Sequence, residues 1–278
     1  MNTFVTLGQD IATLWNEYSG MYLSGIWNTV VLAVICTIVG CLIGLLCGVL
    51  NTIPFSKKDN IFKRLFLGLI RLIIQLYVEI FRGTPMILQA VVIYYGLPYF
   101  TNYALRFDNI WLCAFLVVSI NTGAYMAESV RGGIISIDPG QTEGAKAIGM
   151  THWQTMVYVI LPQALRNILP QIGNNLIINI KDTSVMSIIG FTEFFAVHKN
   201  VVGTTYLYFP SAAIEMIGYL TLTVIASVIL RRVEKKLDGS DSYELTKEDM
   251  LTMAAGTYRL DKKPEDVIER NLEGGQKQ

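Results

Sequence analysis

The sequence predicts an all-α membrane protein with about five transmembrane helices, and three observations carry that reading. Hydrophobic residues make up 52% of the 278 positions and charged residues only 16%, which is more apolar and less charged than a soluble domain of this length. No Asp, Glu, Lys or Arg occurs between Glu17 and Lys57, whereas about 20 apolar helical residues suffice to cross a bilayer core. Clusters of Lys and Arg follow every second apolar run, as they do in multi-pass chains. The formal net charge is zero, so there is no electrostatic footprint for a nucleic-acid partner.

Five candidate spans follow from the charge-poor apolar stretches: about 23–50, 73–97, 110–130, 166–190 and 211–231. Residues 1–22 precede the first and lack a basic region and a small-residue cleavage site, so no removable signal peptide is read there. Residues 57–72 mix Lys57, Lys58, Lys63 and Arg64 with Ile61, Phe62, Leu65, Phe66, Leu69 and Ile70 at helical spacing. They read as an interfacial helix leading into span two, or else span two begins near Leu65. Span four is interrupted by Asn174, Asn175, Asn179, Lys181 and Asp182, groups costly against lipid, so it should face protein or a water-filled path.

Orientation follows from the cations. Lys57, Lys58, Lys63 and Arg64 follow span one, Arg131, Lys146 and Arg166 lie between spans three and four, and Arg231, Arg232, Lys235 and Lys236 follow span five. The alternate connections hold none in residues 1–22, then Arg106 and Lys199. The positive-inside rule puts the N-terminus outside and the C-terminus in the cytoplasm, which demands an odd number of spans. The chain then divides into an external segment (1–22), a transmembrane domain (23–236) and a polar cytoplasmic tail (237–278) with a short helix expected near Lys247 to Ala255. The cysteines, Cys36, Cys41, Cys47 and Cys113, lie inside apolar runs without paired spacing and read as packing residues, not disulfides or metal ligands.

The stretch between spans three and four, residues 138–170, is too polar to span and too patterned to be a passive connection. Pro139 and Gly140 suggest a turn, Thr142 a cap for a short helix starting at Glu143, and Gly149 its stop. Trp153, Met156, Val157 and Ile160 form an apolar stripe on a second segment that Pro162 should break. Such a helix, glycine corner and helix make a rigid knob suited to docking into a cleft of a soluble partner. Gly144 and Gly149 carry the two glycines of a phosphate loop and Met150 and Thr151 follow, but the lysine that reaches the phosphates is missing and no buried strand precedes, so the match is false.

Three motifs resemble those of one family. Glu143-Gly144-Ala145, then Gly149, then Val159-Ile160-Leu161-Pro162 is similar to the EAA loop of bacterial ATP-binding-cassette (ABC) importers, with Gly144 and Val159 as departures. Glu79-Ile80-Phe81-Arg82-Gly83-Thr84-Pro85 with Gln89 and Tyr94-Tyr95-Gly96-Leu97-Pro98, and Ile180-Lys181-Asp182-Thr183-Ser184, resemble segments of the polar amino-acid permeases of that group, the histidine and glutamine type. The resemblance covers about residues 20–236 and implies a type I ABC importer permease. It implies that loop 138–162 is a coupling helix seated in a groove of an ATP-binding subunit, and that Glu143, Gly144, Ala145, Gly149, Leu161 and Pro162 form the coupling element. On this reading Glu143 meets a cation of the ATPase, Gly149 makes the tight turn and Ala145 permits close approach. It further implies that ATP and Mg are bound by partner ATPase subunits and not by this chain, that a second permease chain, identical or homologous, completes the path, and that an extracytoplasmic solute-binding protein delivers an amino acid. The location implied is the cytoplasmic membrane of a bacterium, with the spans in lipid.

The charges at membrane depth leave two readings open. Glu79 with Arg82, and Glu128 with Arg131, are spaced i, i+3 and suit structural ion pairs or substrate ligands. Thr84 and Pro85 mark a helix bend, with Pro85 leaving a carbonyl unpaired. A zwitterionic amino acid needs cationic, anionic and amide partners, so Glu79, Asn174, Asn175, Asn179, Lys181 and Asp182 are candidates for the substrate path. The alternative for the asparagines is interhelical hydrogen-bond glue. An ion-coupled secondary transporter or channel is the competing function, but it leads one to expect more spans and inverted repeats. Catalysis finds no nucleophile and base pair, since His152 and His198 fall on opposite membrane sides in this topology.

Overall fold

The structure, a computed structural model, describes residues 3–53 and 60–237; the expected helix at 247–255 lies outside them, as do Lys57 and Lys58. The described residues form eight helices and no strand: α1 (Thr3–Thr52), α2 (Ile61–Gly83), α3 (Met86–Phe100), α4 (Ile110–Ile135), α5 (Pro139–Ala147), α6 (His152–Ile189), α7 (Phe194–Thr205) and α8 (Tyr208–Leu237).

Three of them, α1, α4 and α8, are long and apolar enough to cross a membrane unaided, and α6 with α7 makes a fourth, bent by 51°. The bend falls at Gly190, whose φ of +89° suits glycine. The segment expected as span two is interrupted. Asn60 caps α2 by accepting the Phe62 N–H, and one unbroken helix runs from the segment expected as interfacial through the start of span two to Gly83. The interruption comes at Thr84 and Pro85, after which α3 restarts.

Helix α1 starts at Thr3, well ahead of the span expected from about residue 23. Its 50 residues measure about 75 Å, more than twice a hydrocarbon core of about 30 Å. The early start follows from packing: Ile11, Leu14, Tyr18 and Tyr22, three or four residues apart, lie in one cluster with Phe194, Val197 and Val201 of α7 and Ile214 of α8.

The central contact is between α1 and α4, which run parallel. A side chain at Gly40 would strike Thr122, one at Gly44 Met126, and one at Gly48 Val130. The four-residue spacing of the three glycines matches the small-residue seam by which membrane helices approach closely. Helix α6 joins through hydrogen bonds: Thr122 Oγ1 donates to Asn179 Oδ1 (3.1 Å), and Asn179 Nδ2 donates to Thr37 Oγ1 (2.8 Å).

Pro162 does not break the chain. Residues Thr155–Ile160 form a π turn that continues directly into the helix from Leu161. In an ordinary helix the pyrrolidine ring would collide with the carbonyl four residues earlier; the wider turn, with Leu161 N–H bonded to Met156 O, accommodates it. The same device precedes Pro98, where Leu97 N–H reaches Val92 O across the turn Val92–Gly96.

Candidate functional site

The knob is built by local rules. Asp138 caps α5 by accepting the Gly140 N–H at 2.7 Å, with Pro139 in the first turn. Pro139 and Gly140 are therefore helical and Thr142 lies inside the helix, four residues earlier than the expected start at Glu143. At the other end Gly149 adopts φ +84°, its N–H bonding Lys146 O (3.0 Å) while Met150 N–H bonds Ala145 O (3.1 Å). That pair of bonds is a Schellman closure, which favours glycine at this position. Thr151 and Gln154 then form a reciprocal capping box that starts α6. The corner therefore has a cap on each side.

Glu143 and Gly144 are exposed on this knob, and Gly144 has open space where a side chain would stand. Ile148 and Trp153 are 80% and 67% exposed. Ala145 is buried, and α5 packs on the Thr155–Ile160 turn, so its small size serves the knob's own packing; the close approach expected of it is internal. Of the expected apolar stripe, Met156 and Ile160 are buried and Trp153 is not. Leu161 is half-buried and Pro162 exposed.

Beside the knob lies a cleft of about 870 Å³ into which Glu79, Arg82, Glu128 and Arg131 face together with Glu143 and Lys146. Glu128 and Arg131 form the expected ion pair, with bonds of 2.5 and 3.1 Å. Glu79 and Arg82 do not pair. The Arg82 guanidinium lies instead 5.6 Å from the centre of the Tyr125 ring, a cation–π distance.

Arg82 also lines a second chamber of about 460 Å³, bounded by Thr84, Pro85, Asn121, Tyr125 and Asp182, with Asn175 and Asn179 on its wall. Among the described residues neither Arg82 nor Asp182 has an ion-pair partner. Asn179 is engaged on both its amide atoms as described, and Asn175 Nδ2 donates to Gln171 O and faces Met126 Sδ. Of the candidates read from sequence, Asn175, Asn179 and Asp182 meet in this chamber. Glu79 faces the larger cleft, while Asn174 and Lys181 are exposed and line neither space.

The carbonyl expected to be orphaned by Pro85 is not orphaned. Phe81 O accepts from Gln89 Nε2 (2.9 Å) and from Asn121 Nδ2 (3.1 Å). Gln89 Nε2 also reaches Thr84 O (2.9 Å) and Thr84 Oγ1 (3.0 Å), and Asn121 Nδ2 donates to Gln89 Oε1 (3.0 Å). Asn121 and Tyr125 escaped the sequence reading. Their signal was their i, i+4 spacing on one face of the charge-poor span three.

Residues 60–239 match the family model described as "Binding-protein-dependent transport system inner membrane component". The glutamine transport system permease protein GlnP of Escherichia coli (strain K12) is 39% identical over 161 residues, covering 58% of this chain and 73% of that one. The arginine transport system permease protein ArtQ of Bacillus subtilis (strain 168) is 32% identical over 222 residues, covering 79% and 93%. A solved structure, "Crystal structure of an amino acid ABC transporter with histidines", aligns with a TM-score of 0.69 at 33% identity over 79% of this chain and 95% of that one. The MetNI methionine ABC transporter in an inward-facing form, at 19% identity and a TM-score of 0.63, shares the fold. The resemblance carried by the three sequence motifs is thereby borne out, and the chain belongs to the family of inner membrane components of binding-protein-dependent transport systems, the permease subunits of ABC importers.

Proposed function

We propose that this chain carries a polar amino acid through the chamber beside Arg82 and Asp182, driven by ATP hydrolysis in partner subunits that grip the α5 knob. The observation that carries the reading is the chamber itself. It holds one cation and one carboxylate, neither of which has an ion-pair partner within the described chain. An amino acid brings a carboxylate and an ammonium, and an unpaired charge in such a space gains most from an opposite charge on its ligand. The half-buried Asp182 and the amide-rich wall suit the ammonium end. The substrates in the names of the similar permeases, glutamine and arginine, both carry that zwitterionic core.

The partner ATPase pair, binding ATP and Mg, docks on Glu143, Gly144 and the Gly149 corner, with Leu161 and Pro162 passing movement along α6. A second permease chain, identical or homologous, completes the assembly, and an extracytoplasmic solute-binding protein delivers the amino acid. Residues 23–236 form the transmembrane domain in a bacterial cytoplasmic membrane, residues 1–22 lie outside, and the knob and the tail from residue 237 lie in the cytoplasm. Lys146, Arg166, Arg231 and Arg232 on that side support the orientation.

The test is uptake of labelled amino acids into vesicles holding the permease with its ATPase and binding protein. Arg82→Ala and Asp182→Asn should each raise the KM for uptake by about tenfold or more, the scale of one charge-assisted contact, with membrane assembly unchanged. Uptake at an unaltered KM in both variants would remove the chamber from the substrate path.

A further inference from the structure

Pro85 interrupts a helix at the chamber wall, and two amides, the buried Gln89 and the half-buried Asn121, satisfy the groups it frees. A continuous helix would have needed neither the interruption nor the amides, since its backbone bonds would close within one segment. Proline is a usual cause of a sharp kink, and Gly83 beside it is exposed, with open space where a side chain would stand. Here the angle is tied. Gln89, 7% exposed, reaches back across the break to Phe81 and Thr84, and Asn121 of α4 holds both Gln89 and Phe81.

The tie and the chamber use the same two helices. Phe81, whose carbonyl is held, precedes Arg82; Asn121, which holds it, stands one turn before Tyr125 on α4. Arg82 then lies over Tyr125 at the chamber wall. Fixing Phe81 to Asn121 thus fixes the register in which Arg82 meets Tyr125.

We infer that Gln89 and Asn121 are positioning residues: their amide pair locks the Thr84–Pro85 break and so holds Arg82 where the chamber requires its charge. The inference rests on the proposal that the substrate occupies this chamber. A guanidinium displaced by about an ångström loses much of a directional contact, so the pair sets substrate affinity without touching substrate.

The experiment uses the permease assembled with its ATPase in vesicles, with labelled glutamine and labelled arginine as probes. Gln89→Leu removes the donors at nearly constant volume, Gln89→Asn keeps an amide too short to reach Phe81 and Thr84, and Asn121→Leu removes the anchor on α4. Each should raise the uptake KM about tenfold while Vmax stays within about twofold, and the double variant Q89L/N121L should do no more than the worse single one. Independently of any ligand, spin labels at Ile80→Cys and Leu88→Cys, in a background without the native cysteines, should show a distance distribution that widens across the break when Gln89 is replaced. Arg82→Ala separates the two claims. If it raises KM and the amide variants do not, or if the distance distribution stays narrow, the positioning role is wrong and the chamber stands. If Arg82→Ala leaves KM unchanged, the chamber and the positioning role fall together.

Discussion

At the residue scale, the glycine that matters most is Gly149. Its φ of +84° lies where a side chain costs about 1–2 kcal/mol, and a β-branched residue is least tolerated there. Gly149→Val should therefore abolish ATP-coupled uptake while the protein still inserts and accumulates in the membrane, because the strain is confined to an exposed corner. Retained uptake, measured beside a membrane-fraction blot, would contradict the coupling role. Gly149 was legible in sequence because helix stop signals are local. Ala145 was not: whether its methyl faces a partner or its own chain depends on where α5 lies on α6, and the structure turns it inward. Arg82 is spaced to pair with Glu79, yet it turns to Tyr125 on another helix.

At the element scale, the parallel pair of α1 and α4 depends on Gly40, Gly44 and Gly48. A side chain at Gly44 meets the Met126 and Ala127 backbone, which cannot yield as the end of a side chain can. Gly44→Leu should force the helices apart, costing about 1–3 kcal/mol or more, and should lower the melting temperature of the purified protein by several degrees. Gly68→Leu is the control, since that position opens on free space and the variant should melt with the parent. Equal melting of both variants would mean that the seam is not close-packed in the membrane. The helices themselves were largely readable from charge-free runs and caps. Their ends were not, because proline gives a boundary in sequence but a π turn lets α6 run through Pro162, and packing on α7 extends α1 back to Thr3.

At the scale of the whole molecule, topology is the open prediction. With Gln9→Cys and Lys235→Cys in a background without native cysteines, a membrane-impermeant thiol reagent added to intact cells should label the first and spare the second. The reverse pattern would invert the chain and put the knob on the wrong face for a nucleotide-hydrolysing partner. A chain with both positions on one side would have an even number of crossings, against the charge distribution.

The sequence alone determined the membrane class, the run of helices and the family, since apolar length, charge placement and local cap chemistry are properties of contiguous residues. Only the tertiary structure decided which polar groups share a space. Asn121 and Gln89 close the break at Pro85, Asn179 joins three helices, and Arg82 and Asp182 face one chamber. The helix period fixes which side of its own axis a residue occupies, whereas its partner is set by how helices distant in the chain cross and how far they rotate. That rotation is fixed by packing at glycines and by buried amides, a balance that no single segment contains.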